Sequence, residues 1–145
     1  MLDLPVVRLD PDLPLPGYAR PGDAGADLTA RKEAVLPARG GRAMIPTGVA
    51  VAVPEGHAGL VLPRSGLALR HGVTVLNAPG LVDAGYRGEL NVLLVNTDPD
   101  EDYVVHRGDR IAQFVIVAVE QAVITVVVEL PDSERGRGGF GHTGR

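Results

Sequence analysis

Glycine or proline interrupts this chain roughly every ten residues from Pro5 to Pro131, and that spacing leaves no window for a long helix. The 19 glycines and 12 prolines are about a fifth of the 145 residues, well above the usual share. Between the breakers lie runs rich in β-branched residues, at 6–7, 45–53, 60–62, 73–76, 90–95, 110–119 and 123–130. With 45% apolar residues, this reads as many short strands cut by turns: an all-β sandwich, barrel or jelly roll. Only 65–70 suits a helix, of one or two turns, capped by Ser65 and stopped at Gly72.

Composition removes several classes of function. The length suits one domain, and no apolar run approaches the ~18 residues of a membrane span. The start, MLDLPVVRLD, lacks a basic region followed by an apolar stretch, so no secretory leader is expected. Without cysteine there is no disulfide framework, zinc–thiolate site or thiol nucleophile, and a cytoplasmic location is the expectation. A net charge of −4 gives the chain no overall electrostatic footprint for nucleic acid. Of the 14 basic residues all but Lys32 are arginine, the side chain suited to bidentate contact with phosphate or carboxylate. His57, His71 and His106 stand singly in turns, without metal-ligand spacing, and are read as surface residues.

The run IAQFVIVAVEQAVITVVVEL at 111–130 is an aggregation hazard on an open edge, so a closed sheet or another subunit has to cover it. A homo-oligomer is therefore expected. The tail PDSERGRGGFGHTGR at 131–145 changes character, with five glycines, three arginines and one aromatic. Composition admits two readings of it. One is a flexible terminal arm; the other is a lid, with glycines that approach phosphate and Phe140 stacking on a base.

Four segments carry more polar chemistry than a β core needs. PGDAGADL at 21–28 is a turn into a strand, with Asp27 either solvated or functional. In PRSGLALR at 63–70, Arg64, Ser65 and the Gly66 amide gather three kinds of phosphate donor at a helix start; the alternative is a cap and a surface arginine. NAPGLVDAGYRGEL at 77–90 holds two turn signals around Leu81 and Val82. It predicts a tight hairpin-like excursion presenting Asn77 and backbone groups, with Asp83 and Tyr86 close together at its base. Asp83 opening a turn and Tyr86 packing as a core ring is the plainer alternative. In GDRIAQFVI at 108–116, Gln113 is the only polar side chain of an apolar stretch, either outward-facing or a directed donor.

In this order, PGDAGADL, PRSGLA, NAPGLVDAGYRGEL, GDRIAQ and RGRGGFGHTG resemble the five motifs of the trimeric dUTP diphosphatases (dUTPases), over most of the chain. The resemblance implies a distorted jelly-roll (β-clip) subunit at 1–130 and a C-terminal arm at 131–145 that closes over an active site. It implies a homotrimer with sites shared between subunits and Mg²⁺-assisted hydrolysis of dUTP to dUMP and pyrophosphate. That activity keeps uracil out of DNA and supplies dUMP for thymidylate synthesis.

Residue by residue, Asp83 would orient and deprotonate the water that attacks the α-phosphorus, and Asp27 would touch the metal through water. Arg64, Ser65, Gly66, Gln113 and Arg135 would hold the phosphates. Asn77, Leu81 and Val82 would read uracil, Tyr86 would lie under the deoxyribose and exclude a 2′-hydroxyl, and Phe140 would stack on the base. Gly141, His142 and Thr143 complete the arm. His142 stands where relatives carry a serine, Arg137 where they carry an acidic residue, and Asn91, also read as a substrate contact, where they carry Lys or Met. Two alternatives stand beside this reading: a dCTP deaminase of the same fold, for which Glu89 is the nearest glutamate, and a non-catalytic nucleotide-binding β trimer.

Overall fold

The computed structural model describes residues 2–134, 136 and 137. Ten strands and one helix follow each other as β1 (Val6–Arg8), β2 (Ala26–Thr29), β3 (Ala34–Leu36), β4 (Arg42–Val51), β5 (His57–Leu62), α1 (Ser65–His71), β6 (Val73–Val75), β7 (Gly80–Val82), β8 (Glu89–Asn96), β9 (Tyr103–Val105) and β10 (Arg110–Ala118). They form two antiparallel four-stranded sheets, β1-β4-β8-β6 and β2-β10-β5-β7, with β3 and β9 as a small third sheet. This is the all-β architecture expected from the breaker spacing, in the jelly-roll-like form that the resemblance implies.

The core lies between the two large sheets. Leu90, Val92 and Leu94 of β8 point inward while Asn91 and Leu93 point away, the two-residue period of a strand with one buried face. They meet Val61 of β5, Val82 of β7 and Ile111 and Phe114 of β10 in one apolar cluster. Two buried polar groups are satisfied in place: Thr47 donates to the Leu90 carbonyl at 2.8 Å, and Asn96 donates to the carbonyls of Leu36 and Glu101 at 3.0 and 2.8 Å.

Three local expectations are corrected. The helix begins with Ser65 inside it: Arg64 is the N-cap residue, and no side chain caps the end. The 77–83 excursion is not a local hairpin, because β7 pairs with β5 whereas its neighbours β6 and β8 pair with each other in the opposite sheet. Segment 123–130, read as strand, forms none with the described residues; Val123, Ile124, Val126, Val128 and Leu130 are all exposed. A strand needs a partner to pair with, and this segment pairs with none of the described strands.

β4 carries the fold's main irregularity. Its register against β8 runs from Pro46 opposite Asn91 to Ala50 opposite Glu89, so extra residues bulge out around Gly48. Gly48 adopts φ +77°, and a Cβ there would stand 2.9 Å from Asp10 Cβ. Its carbonyl accepts from the Leu9 and Asp10 amides, and its own amide donates to Glu89 at 2.8 Å.

Beside this bulge Asp10 is nearly buried and accepts from Arg107 Nη1 and Nη2 at 2.6 and 3.0 Å, while Arg31 Nε lies 3.3 Å away. The Arg107 guanidinium, helped by the Asp12 amide and by Arg31, holds the Asp10 carboxyl at about 2 against an ordinary 3.8. The folded state thus binds this proton more weakly than the unfolded chain does. The stabilisation is complete above about pH 4 and is lost as pH falls through about 2. Urea unfolding of the wild type should weaken across that window, and Asp10→Asn should flatten the dependence while lowering stability at neutral pH. Equal acid sensitivity in the two proteins would show that other groups govern it.

Candidate active site

The residues singled out in the sequence gather at two places. The first is a cleft of about 320 Å³ lined by Asn77, Leu81, Val82, Asp83, Tyr86 and Asn91, with Met44, Val61, Leu90 and Leu93. The pairing of β7 with β5 (Gly80 opposite Val61, Leu81 opposite Leu60, Val82 opposite Gly59) fixes its wall. Val82 is buried, so the alternation turns Leu81 outward and delivers Asp83 to the surface just beyond. The Asn77 side chain lies over Gly80, where a Cβ would come within 3.4 Å of its Nδ2.

A turn then closes from Asp83 to Tyr86, whose amide donates to the Asp83 carbonyl at 3.0 Å. The two residues are neighbours, as the sequence predicts. Tyr86 is not a core ring. It is 43% exposed and its hydroxyl donates to the Glu89 carbonyl at 2.9 Å; Asn91 Nδ2 donates to the same oxygen at 2.9 Å. The cleft thus combines an apolar floor, an amide, a phenol and a carboxylate unpaired among the described residues, a mixture suited to a small aromatic heterocycle.

The second place is the end of β5 and its partner β10. Gln113 stands opposite Leu62 on β5 and opposite Asp27 on β2. Asp27 pairs with Arg64 Nε at 3.5 Å and Arg110 Nη1 at 3.2 Å, and Arg64 Nη1 donates to the Arg110 carbonyl at 3.0 Å. Asp27 Oδ1 is buried without a hydrogen-bond partner among the described residues. Ser65 and Gly66 open α1, where a helix leaves amides without intrahelical acceptors. Two guanidiniums, a hydroxyl, an amide side chain and free N–H groups here suit a polyanion.

One chain does not bring the two places together. Continuing the β5–β7 register puts Asp83 level with Ala58, and Arg64 lies six residues further along. At strand rise that separates them by about 20 Å, beyond the reach of both side chains. Among the described residues no group of three or more His, Cys, Asp or Glu is placed to hold a metal ion. No helix among them is long and apolar enough to cross a membrane. Arg135, Phe140, Gly141, His142 and Thr143, all assigned to the site from the sequence, lie outside the described residues.

Sequence reasoning missed Gly88 and Met44. A Cβ at Gly88 would run into the Tyr86 ring and hydroxyl, so the glycine lets the ring fold back over its own turn. The spacing Tyr86-Arg87-Gly88 was the available signal. Met44 faces the cleft from β4, opposite Leu93, and nothing local in the sequence marks it.

Fold and comparison agree on the class, a jelly-roll-like β hydrolase of nucleotide metabolism. The dUTPase family profile matches residues 12–144, and the chain belongs to that family. It is 63% identical over 137 residues to the deoxyuridine 5′-triphosphate nucleotidohydrolase of Thermobifida fusca, covering 94% of this chain and 76% of that one. To the Streptomyces coelicolor protein of the same name it is 57% identical over 143 residues, covering 99% and 78%. Among solved structures, the dUTPase of Staphylococcus bacteriophage 80alpha with dUpNHpp superposes with a TM-score of 0.92 at 30% identity, covering all of both chains. A mutant dUTPase of the Staphylococcus aureus phage phi11, whose structure describes coordination of a structural Mg(II) ion, gives 0.82 at 27% identity over 90% of this chain and 100% of that one.

Proposed function

We propose that the chain hydrolyses dUTP to dUMP and pyrophosphate in the cytoplasm, at active sites completed between copies of the chain in a homotrimer. The observation that carries the reading is the cleft, where Asn77, Tyr86 and Asp83 stand together. Asn77 and the backbone of Leu81 and Val82 would pair with the uracil edge. Cytosine offers a donor where uracil offers a carbonyl, and the mismatch would leave buried groups unpaired. A thymine methyl would meet the wall of the cleft. Tyr86 would pack beneath the deoxyribose in the space that a 2′-hydroxyl needs.

Asp83, exposed at the end of β7, would orient a water and take its proton as the water's oxygen bonds to the α-phosphorus. The bond from that phosphorus to the bridging oxygen breaks, and pyrophosphate leaves. Arg64, Ser65, Gly66 and Gln113 of another copy would hold the phosphates, joined by Arg135, Gly141, His142 and Thr143 of the arm at 131–145, with Phe140 stacked on the base. The separation of Asp83 from Arg64 within one chain supports the shared site. The exposed 123–130 segment supports an oligomer, since a neighbour can supply its missing edge.

Mg²⁺ would arrive on the triphosphate as part of the substrate, neutralising phosphate charge and keeping most of its water shell. The described residues fit such an ion better than one enclosed by protein, since they hold no group of three or more metal-ligating side chains, while Asp27 Oδ1 lacks a hydrogen-bond donor among them. The deaminase alternative loses its glutamate. The Glu89 carboxylate is taken up by Arg31 Nη1 at 3.3 and 3.4 Å and by the Gly48 amide, and it does not line the cleft.

Pyrophosphate release from dUTP, UTP, dCTP and dTTP with Mg²⁺ tests the reading, repeated on a chain lacking 132–145. Turnover of dUTP alone, collapsing with the deletion, is the expected outcome. Ammonia from dCTP would move the chain to the deaminase chemistry, and inactivity on all four would leave a nucleotide-binding protein.

A further inference from the structure

We infer that Glu89 is a positioning residue, which holds the Tyr86 ring at the angle that separates deoxyribonucleotides from ribonucleotides. The inference rests on Tyr86 facing the sugar, as proposed above. Tyr86 sits on an exposed turn, where an aromatic ring ordinarily samples several rotamers. Among the described residues its one side-chain hydrogen bond is from its hydroxyl to the Glu89 carbonyl, and Asn91 in the same cleft donates to that oxygen too. Whatever fixes the Glu89 backbone therefore fixes two walls of the cleft.

Glu89 is fixed from its other end. Its carboxylate accepts the Gly48 amide at 2.8 Å, which the β4 bulge has turned toward it, and pairs with Arg31. Arg31 is itself tied to Asp10 at 3.3 Å and donates to the Leu9 carbonyl at 3.1 Å. A half-buried carboxylate is thus clamped by two donors on the far side of the strand, while its carbonyl receives the phenol. Arg87 braces the turn by donating to the carbonyls of Ala84 and Tyr86 at 2.6 and 2.8 Å, but it does not touch the ring hydroxyl. Gly88 makes room for the ring, and among the described residues the Glu89 carbonyl alone holds its hydroxyl.

The test is the ratio of kcat/KM for dUTP over UTP in the wild type, Tyr86→Ala, Glu89→Ala, Glu89→Gln and the Tyr86→Ala/Glu89→Ala double variant, each with its urea midpoint. Tyr86→Ala should lose most of the discrimination. Glu89→Ala should lower the ratio about tenfold, mainly through faster UTP turnover, and should add little in the double variant. Glu89→Gln should recover most of the ratio, because its amide oxygen still accepts from Gly48 and Arg31.

If Glu89→Ala does not fold, Glu89→Asp keeps the charge but draws the carboxylate back from Gly48, and a drop in the ratio is again expected. An unchanged ratio in Tyr86→Ala overturns the sugar-facing reading of Tyr86 and this inference with it. A lost ratio in Tyr86→Ala with a wild-type ratio in the Glu89 variants, whatever their stability, overturns the role of Glu89 alone.

Discussion

Two inactive chains, one carrying Arg64→Ala and the other Asp83→Asn, should regain activity when unfolded together and refolded, to about a quarter of wild-type turnover per site. Alone, Asp83→Asn removes the base and Arg64→Ala a phosphate cation, each expected to lower kcat/KM by about 10²–10⁴. The recovery follows from the β5–β7 register, which sets the carboxylate and the guanidinium at opposite ends of one strand. A site that takes Asp83 from one copy and Arg64 from another is intact when the first copy carries Arg64→Ala and the second Asp83→Asn. Random assembly produces that arrangement about one time in four. Mixing the two folded proteins without unfolding them is the control. No recovery after co-refolding would mean that each chain completes its own site, by a rearrangement of more than side chains.

Gly59→Ala should be among the most damaging single-methyl additions to this fold. Gly59 is buried in β5, and the Phe114 ring of β10 lies directly across it; a Cβ would also stand 3.2 Å from Val82 Cβ. Overpacking a strand centre from two sides should cost about 3 kcal/mol, read as a lower urea midpoint. Part of that loss should return in Gly59→Ala/Phe114→Leu, because a smaller side chain vacates the contested space, although Phe114→Leu alone is destabilising. Strictly additive effects would place the strain elsewhere. Since Val82 precedes Asp83, the remaining folded Gly59→Ala protein should also turn over dUTP more slowly.

Much of this was legible in the chain because it is local. Breaker spacing marks the strands, and two-residue alternation marks the inward face of β8. The adjacency of Asp83 and Tyr86 follows from a turn signal of four residues. The partner of β7 was not legible: Leu81 and Val82 pair with Leu60 and Gly59, some twenty residues earlier, and no local signal selects that edge over a hairpin. The Asp10–Arg31–Glu89 cluster is likewise assembled from three distant segments. Periodicity also failed in β4, where the β-branched run at 45–53 reads as a plain strand and gives no warning of the bulge at Gly48. In 123–130 the error was of another kind, since propensity marked an extended, apolar segment but was silent on where a pairing edge would come from.

That unpaired segment also imposes an order on how the molecule comes into being. The apolar cluster closes between residues of one chain, none of them beyond Phe114 except Ile116 at its margin. A lone chain can therefore collapse and complete its sheets as a first-order event, emerging with a band of valine and isoleucine still in water. In the proposed trimer, joining neighbours would be a separate, concentration-dependent event. In the interval between them the chain is sticky, and partition between assembly and precipitation depends on how soon it meets its own kind.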